Sequence, residues 1–299
     1  MLDSTARTFD SPAPLKFALV VGADSEVMEI LRNVLKPEEW VIVPARDNQT
    51  VLKLVDEKPY ALIVTGAKTT GKEDVELLRK MRLVRPHTRL IILTDESTPD
   101  DVVASMRERA FSYFSKPFSP HALAEIVRLA ALEPAWDDGI EVMSATPEWI
   151  SVLARCDPGT ADRLVQFFQE VSELPHPERD DVATAFREIL LNAIEHGGNF
   201  DPREFVEISY VRTTKAIICR IKDPGQGFSL EELHHAAVSN PIYDPIRHAL
   251  YREAQGMRPG GYGILIAKHF VDELLYAEKG DEVLLVKYLR ATQSRRAER

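Results

Sequence analysis

The sequence predicts an α/β protein with two domains, and three observations support this fold class. The first 130 or so residues alternate strand-like and helix-like segments five times, which predicts a five-stranded parallel sheet with helices on both faces. After a short segment rich in Pro, Gly and acids, paired strands and longer helices predict an α/β sandwich. The chain has 299 residues, 44% of them hydrophobic, which is enough for two cores of ordinary size.

The expected strands of the first domain are apolar runs rich in β-branched residues, and the expected helices have apolar residues at helical spacing. In chain order, the strands are KFALVVG, WVIVPA, YALIVTG, TRLIILT and FSYFSK. The helices are SEVMEILRNVL, NQTVLKLVDE, DVELLRKMRLV, PDDVVASMRERA and HALAEIVRLAAL.

The ends of these strands carry a resemblance to response-regulator receiver domains. Thr94 closes the fourth strand and Lys116-Pro117-Phe118 closes the fifth, as in that family. The resemblance covers residues 1–131 and implies a receiver-like (βα)5 sandwich.

The acids that a receiver uses for phosphorylation are missing. A receiver needs two acids after the first strand to hold magnesium and a third acid, after the third strand, to accept the phosphoryl group. Here the first strand ends in Gly22-Ala23, with only Asp24 nearby, and the third ends in Thr65. Because a threonine hydroxyl cannot form an acyl phosphate, we expect a degenerate receiver in which Thr65 packs and hydrogen-bonds. A noncanonical phosphosite is the alternative.

The second half of the chain has a different order of elements. Residues 132–139 are typical of a linker. We expect residues 140–290 to form the second domain and residues 291–299 to form a flexible tail. Its expected strands are IEVMSA, FVEISYVR, KAIICRIKD, ELLYAE and EVLLVKYL. Helices are expected over 160–174, from the acids at 179–181 onward, and from Gly263. The stretch before residue 160 is left unassigned, and the long segment after KAIICRIKD, including residues 229–257, is expected to be irregular.

The long helix carries a polar stripe, because Glu188, Asn192 and His196 recur every fourth residue. The expected core face consists of Val182, Phe186, Ile189 and Ala193. Since the remaining sides are also apolar, we expect the stripe to face a pocket; a solvated face is the alternative. Gly197-Gly198 is expected to end the helix as a left-handed cap.

Two glycine motifs follow. Asp223 ends a strand and is followed by Gly225 and Gly227, so a carboxylate would lie where the backbone can approach a flat ring. Gly261 and Gly263 lead into a helix, whose free amides favour phosphate. Taken alone, the Asp223 motif is more typical of a simple turn between strand and loop. Neither glycine cluster is a Walker loop or a dinucleotide fingerprint.

In their order and spacing, the three signals resemble the GHKL ATP-binding fold of gyrase, heat-shock chaperones and histidine kinases. The ending GGYGILIAKHFVDEL is most similar to the bacterial anti-sigma-factor serine kinases, and the resemblance runs from about residue 140 to residue 289. It implies an α/β sandwich of the GHKL ATPase type that binds ATP and Mg²⁺.

The resemblance also implies roles for individual residues. Glu188 would be the general base, Asn192 the magnesium ligand and Asp223 the adenine-binding residue. The nucleotide pocket would be shaped by Gly225, Gly227, Gly261 and Gly263. Arg258 either reaches a terminal phosphate or is a solvated loop residue. His196 receives no role.

Three classes of function remain. The first is an ATP-dependent serine/threonine kinase that acts on a small anti-anti-sigma-like partner, and the second is a nucleotide-gated module that sequesters a sigma factor without turnover. A histidine kinase is disfavoured because no helical dimerisation hairpin fits between the linker and Glu188, a stretch in which His176 is the only histidine. Retention of Glu188 with Asn192 favours the kinase, since binding alone needs no base. The oligomeric state is left open, and a homodimer is compatible with the resemblance.

The net charge of −10 disfavours nonspecific binding to nucleic acid or anionic membranes. No apolar run approaches the roughly 20 residues of a membrane span. Cys156 and Cys219 fit no metal or redox spacing and receive no role. We therefore expect a soluble, cytoplasmic protein.

Overall fold

Two β-sheets organise the protein, one parallel and one antiparallel, as the sequence predicts. The structure is a computed structural model. It describes residues 14–22, 25–66, 69–132, 139–227, 236–241, 244–255 and 261–289. Within these ranges, no helix combines the length and hydropathy that a membrane crossing requires.

The N-terminal sheet has five parallel strands in the order β2-β1-β3-β4-β5. The strands are β1 (Lys16–Val21), β2 (Trp40–Ala45), β3 (Leu62–Val64), β4 (Arg89–Thr94) and β5 (Ser112–Ser115). The helices are α1 (Ser25–Val34), α2 (Asn48–Glu57), α3 (Gly71–Val84), α4 (Pro99–Arg107) and α5 (Pro120–Ala131). Because helices cover both faces, consecutive strand residues such as Ala18 and Leu19 are both fully buried.

Reciprocal capping fixes the start of α3. The Glu73 N–H donates to the Thr70 hydroxyl at 3.3 Å, and the Thr70 N–H donates to the Glu73 carboxylate at 2.9 Å. These bonds satisfy amides that the first turn of a helix leaves without partners. The helix therefore begins at a defined residue, Gly71.

Thr65, at the end of β3, is fully buried and its hydroxyl is engaged by the neighbouring strand. Its Oγ1 accepts the Leu93 N–H at 2.9 Å and donates to the Leu93 carbonyl at 3.2 Å. Thr65 therefore packs and hydrogen-bonds, as the sequence predicts. Ala23 and Asp24 lie outside the described residues.

A buried carboxyl group lies beside this strand end. Asp74 of α3 is fully buried and accepts hydrogen bonds from Asn48 Nδ2 and Thr69 Oγ1, both at 2.9 Å. Burial raises the pKa of Asp74 to about 6, although the hydrogen bonds oppose this shift. The domain thus has an acid near the end of β3, but this acid is buried and accepts hydrogen bonds from neighbouring side chains.

The C-terminal sheet has six antiparallel strands in the order β10-β11-β9-β8-β7-β6. The strands are β6 (Ile140–Thr146), β7 (Trp149–Arg155), β8 (Phe205–Arg212), β9 (Ala216–Lys222), β10 (Glu273–Tyr276) and β11 (Glu282–Tyr288). The helices are α6 (Pro158–Ser172), α7 (Glu178–Asn192), α8 (Arg247–Ala254) and α9 (Gly263–Phe270). Strand β7 occupies a stretch that the sequence left unassigned, and α8 corrects the expectation of an irregular segment.

One face of this sheet forms the core and the other faces solvent. A buried row crosses four strands in register through Val152, Ile208, Ile221 and Val283. On the opposite face, Arg220 forms an ion pair with Glu282 at 2.7 Å. This alternation is expected for an antiparallel sheet that packs helices on one side only.

The end of α7 differs from the expected glycine cap. The helix continues into a π-helical turn over Ala193–Gly197, and Gly198 has a right-handed backbone. The left-handed residues are Asn199 and Phe200, with φ of 51° and 54°. The expectation of a left-handed cap at Gly197-Gly198 is therefore wrong. Gly198 is instead placed against Cys156, whose Sγ would lie 2.1 Å from an added Cβ.

Gly198→Ala is expected to destabilise the protein by about 1–3 kcal/mol, because the new methyl group would overlap a buried side chain. The measurement is the free energy of unfolding in urea. The matched control is Gly159→Ala in α6, where the nearest contact is the movable end of Leu129 at 3.0 Å. We expect the control to be neutral or stabilising, since alanine favours a helix. Equal effects of the two variants would contradict the packing role of Gly198.

The burial of Thr65 generates a second prediction, for the full-length protein. Treatment with acetyl phosphate should leave no acyl phosphate on residues 1–130, because a hydroxyl ends the strand where a receiver has its phosphoacceptor acid. Intact mass and peptide mapping provide the measurement, with a phosphorylatable receiver treated in parallel. An acyl phosphate in this range would show that another carboxyl group accepts the phosphoryl group.

Candidate functional site

A cavity of about 510 Å³ lies between α7, the start of α9 and the ends of β9 and β11. Small-molecule sites commonly have volumes of about 300–1,000 Å³. The cavity brings together all but one of the catalytic and nucleotide-binding residues predicted from the sequence: Glu188, Asn192, Asp223, Gly225, Gly227, Gly261 and Gly263. The remaining one, Arg258, lies outside the described residues.

One end of the cavity is formed where α9 begins beside α7. Glu188 and Asn192 are half-buried on the wall of the cavity. An added Cβ at Gly263 would lie 2.7 Å from Glu188 Oε2 and 3.5 Å from Asn192 Nδ2. The glycine lets the first turn of α9 approach these side chains without displacing the Glu188 carboxylate. The free amides of that turn therefore lie next to a carboxylate and an amide, a combination suited to a phosphate with its counterion.

The π-helical turn after Asn192 extends the wall of the cavity. Both Glu195 and His196 line it, although they are consecutive residues. Such turns are rare and occur often at functional sites. His196, from the polar stripe, is exposed at the edge of the cavity. The sequence did not single out Glu195, which looks like an ordinary solvated residue of a charged helix.

The other end of the cavity is formed by Asp223, directly after β9. Its N–H donates to the Asp281 carbonyl at 2.9 Å, and its Oδ1 accepts the Gly225 N–H at 2.8 Å. Burial raises the pKa of Asp223, and the negative charge of Asp281 adds to this effect. The carboxylate is thus fixed in orientation and partly desolvated, as a group that recognises a ligand N–H would be.

Gly227 closes the same end in a backbone conformation that requires glycine. Its φ is +81°, and an added Cβ would lie 1.9 Å from the Lys279 carbonyl oxygen. The chain after Asp223 can therefore pass close to the loop between β10 and β11. This contact keeps the two loops together at the mouth of the cavity.

The cavity is strongly acidic. Its acidic lining residues are Glu188, Glu195, Asp223, Asp281 and Glu282. Among the described lining residues, Arg252 is the one lysine or arginine, and it is only 7% exposed. A polyphosphate bound here would need cations to balance its charge, so Arg252 and a divalent ion would act together. Asn192 supplies an amide oxygen of the kind that magnesium accepts.

Arg252 is a site residue that the sequence did not single out. It lies on α8, one turn after His248, and both side chains are buried. The His248 ring makes an edge contact with Tyr262 at 4.6 Å between ring centroids, which ties α8 to the start of α9. Arginine is usually exposed, so the sequence offered no signal for this placement.

Two family profiles match the chain in separate segments. The family described as "Histidine kinase-like ATPase domain" matches residues 154–287, which include the walls of the cavity. The chain belongs to the histidine kinase-like ATPase family. A second family, described as "Response regulator receiver domain", matches residues 18–128. This histidine kinase-like ATPase thus carries a receiver domain before its ATPase domain.

Individual relatives match one domain or the other. The anti-sigma F factor of Geobacillus sp. (strain WCH70) is 30% identical over 121 residues, which cover 39% of this chain and 74% of that protein. The response regulator protein FleR of Pseudomonas aeruginosa is 26% identical over 141 residues, 46% of this chain, but the match spans only 30% of its length. A crystal structure of a CheY-like receiver domain protein from Methanospirillum hungatei is 25% identical, with a TM-score of 0.34, covering 39% of this chain and 93% of that one.

Asp223→Asn separates a role in binding from a role in folding. The raised pKa means that the carboxylate costs stability at neutral pH. This cost declines as the pH falls through the raised value and is gone below the ordinary value of 3.8. The ligand-free variant should therefore unfold at the same or a higher temperature than the wild type at pH 7. ATP affinity should fall by about tenfold or more, because the amide presents a donor as well as an acceptor.

Calorimetry measures both quantities, the unfolding temperature without ligand and the dissociation constant for ATP. In the wild type, ATP affinity should also fall at acidic pH as Asp223 takes up a proton. A lower unfolding temperature together with an unchanged ATP affinity would identify Asp223 as a turn residue.

Proposed function

We propose that this protein is an ATP-dependent serine/threonine kinase of the anti-sigma-factor type. Its substrate would be a small anti-anti-sigma-like protein in a bacterial partner-switching pathway. The observation that carries the proposal is the position of Glu188 and Asn192, on one wall of the cavity and next to the first amides of α9. A module that only bound nucleotide would need no carboxylate at this end.

The cavity suggests how a bound nucleotide would be oriented. The adenine ring would lie at Asp223, whose carboxylate would accept a hydrogen bond from the amino group of the ring. The phosphates would lie at the opposite end, near Gly263 and Arg252, where helix amides and a cation are available. Asn192 would hold magnesium, which when bound neutralises phosphate charge.

Glu188 would act as the general base. In this role its carboxylate accepts the proton of a serine or threonine hydroxyl while the hydroxyl oxygen attacks the terminal phosphorus of ATP. The bond from that phosphorus to the bridging oxygen breaks, and ADP leaves with the electron pair. Glu188 is half-buried and lines the cavity, so a substrate hydroxyl would have to reach it from the cavity side. The similarity to an anti-sigma F factor supports a protein substrate, and a sigma factor is the second partner that we propose.

Glu188→Gln should keep the fold and nearly all of the ATP affinity, yet slow phosphoryl transfer by roughly 10² to 10⁴, the usual contribution of a general base. Asn192→Ala should instead weaken nucleotide binding as well as turnover, because it removes a ligand of the ion that bridges protein and phosphates. The measurements are ATP affinity and single-turnover phosphorylation of a partner captured with ATP present.

The matched control is Glu178→Gln in the first turn of α7, outside the cavity, which should leave both quantities unchanged. Wild-type protein that binds ATP and a regulator but transfers no phosphate would contradict the kinase. It would favour the nucleotide-gated sequestering module instead. Transfer at the wild-type rate by Glu188→Gln would leave the kinase in place but exclude Glu188 as its base.

A further inference from the structure

The receiver domain contacts the ATPase domain along one edge of its parallel sheet. In the order β2-β1-β3-β4-β5, strand β5 is an edge strand. Every second carbonyl of such a strand points away from its sheet and needs a partner. Here the partner is α6 of the ATPase domain, which lies along β5 and also contacts α4.

Two side chains of α6 donate hydrogen bonds to backbone carbonyl groups, one within β5 and one on the residue just before it. Arg163 Nε donates to the Phe111 carbonyl at 2.8 Å, and Gln166 Nε2 donates to the Tyr113 carbonyl at 3.1 Å. The Arg163 guanidinium also lies 4.1 Å from the centroid of the Phe111 ring. Backbone acceptors of one domain are therefore satisfied by side chains of the other.

A third contact continues the series. The Ser115 hydroxyl donates to the Glu170 carboxylate, which also accepts a hydrogen bond from Gln166 Nε2 at 3.0 Å. We call the three contacts the α6–β5 ladder: Arg163 with Phe111, Gln166 with Tyr113, and Glu170 with Ser115. Along β5 the steps are two residues, about 6.6 Å each. Along α6 they are three and four residues, about 4.5 and 6 Å. The two spacings are close enough for one helix face to follow one strand edge.

The Arg163 and Gln166 contacts of the ladder are buried and the Glu170–Ser115 contact is half-buried, which makes these bonds costly to lose. Arg163 is 5% exposed and Gln166 is 7% exposed. Burial raises the pKa of Glu170, while the Ser115 hydroxyl opposes that effect. A buried polar group without a partner costs more than the bond itself contributes. If the domains separated, the α6 side chains and the β5 carbonyl groups would therefore both lose their hydrogen-bond partners.

Apolar packing surrounds the ladder. Buried residues on one face of the parallel sheet, such as Met106 of α4, form one continuous apolar cluster with the core of the ATPase domain, including Leu164 and Phe167 of α6. At its margin, the Arg107 guanidinium donates to the Ala145 carbonyl of β6. The contact between the domains thus has the character of a protein interior.

The opposite side of α6 leads to the cavity. Phe168 packs on Phe186 of α7 with ring centroids 4.6 Å apart, and Arg187 Nε binds Asp162 Oδ1 at 2.8 Å. The residue after Arg187 is Glu188, on the cavity wall. Helix α6 is therefore held between β5 on one side and α7 on the other.

We propose that the receiver domain functions as a fixed structural part of the ATPase domain: the α6–β5 ladder joins the two into one cooperative unit and holds α7 in position at the cavity. This role requires no phosphorylation of the receiver domain. It is independent of the proposed kinase activity, because it concerns the folding of the ligand-free chain.

The test uses the full chain with the double variant Arg163→Met, Gln166→Leu, which keeps side-chain bulk but removes two contacts of the ladder. Differential scanning calorimetry should show one transition for the wild type and two separate transitions for the variant. Amide hydrogen exchange in residues 178–192 should become faster by at least about tenfold in the variant, since α7 loses its support. The milder variant Glu170→Gln should increase exchange in the same direction.

The matched control is Arg203→Met, Gln49→Leu, which makes the same chemical changes at exposed positions, one in each domain. It should retain a single transition and wild-type exchange. A ladder variant with one transition, at any temperature, would overturn the proposal, as would two transitions in the wild type. If the double variant does not fold, Glu170→Gln decides: unchanged exchange in α7 would overturn the proposal.

Discussion

Helix α7 packs one face on the antiparallel sheet and presents another face to the cavity, and the site depends on this division. Phe186, Ile189 and Leu190 are buried, and each such side chain contributes about 1.5–3 kcal/mol to stability when removed from water. Glu188 and Asn192 add no comparable burial. Burial of the apolar side chains fixes the position of α7, and the backbone positions of Glu188 and Asn192 are fixed with it. The geometry of the site is therefore maintained largely by buried apolar side chains and not by the polar groups that would bind a ligand.

The cavity itself opposes stability. Several acids line it, one of them Asp223 with a raised pKa, and a buried arginine enters from α8. Carboxylates gathered around one cavity repel each other, and a partly buried carboxylate costs free energy when no ligand balances its charge. The regular sheet and the packing of α6 and α7 offset this unfavourable free energy. A nucleotide with its ion would supply opposite charges to both sets of groups, so binding and stability should be linked.

Much of the fold was predictable because its strands show clear patterns, such as the alternating FVEISYVR of β8 and the apolar RLIILT of β4. Strand β7 was left unassigned, although Ile150, Val152 and Ala154 alternate as in a half-buried strand and turn signals lie on both sides of it. Helix α8 was missed because its inner face consists of His248 and Arg252, which no hydropathy pattern marks as buried. The motif residues of the cavity were found through their order in the chain. Their chemical roles and the domain boundaries remain predictions.

The error at the end of α7 has a physical reason. A glycine pair after a helix is typical of a left-handed cap, but Gly198 is needed here for contact with Cys156, which is distant in sequence. Tertiary contact of this kind leaves no local signature. The same limitation applies to the α6–β5 ladder, whose polar residues on α6 look like an ordinary solvated helix face.

The buried carboxyl group of Asp74 also has a thermodynamic consequence. Its pKa is about 6 in the folded protein and near 3.8 when the chain is exposed to water. Between these values the folded receiver domain binds a proton that the unfolded chain does not, so unfolding releases a proton and stability falls as the pH rises through this window. The heat of unfolding near pH 5 therefore includes the heat of protonating the buffer, and it should change with the ionisation enthalpy of the buffer chosen.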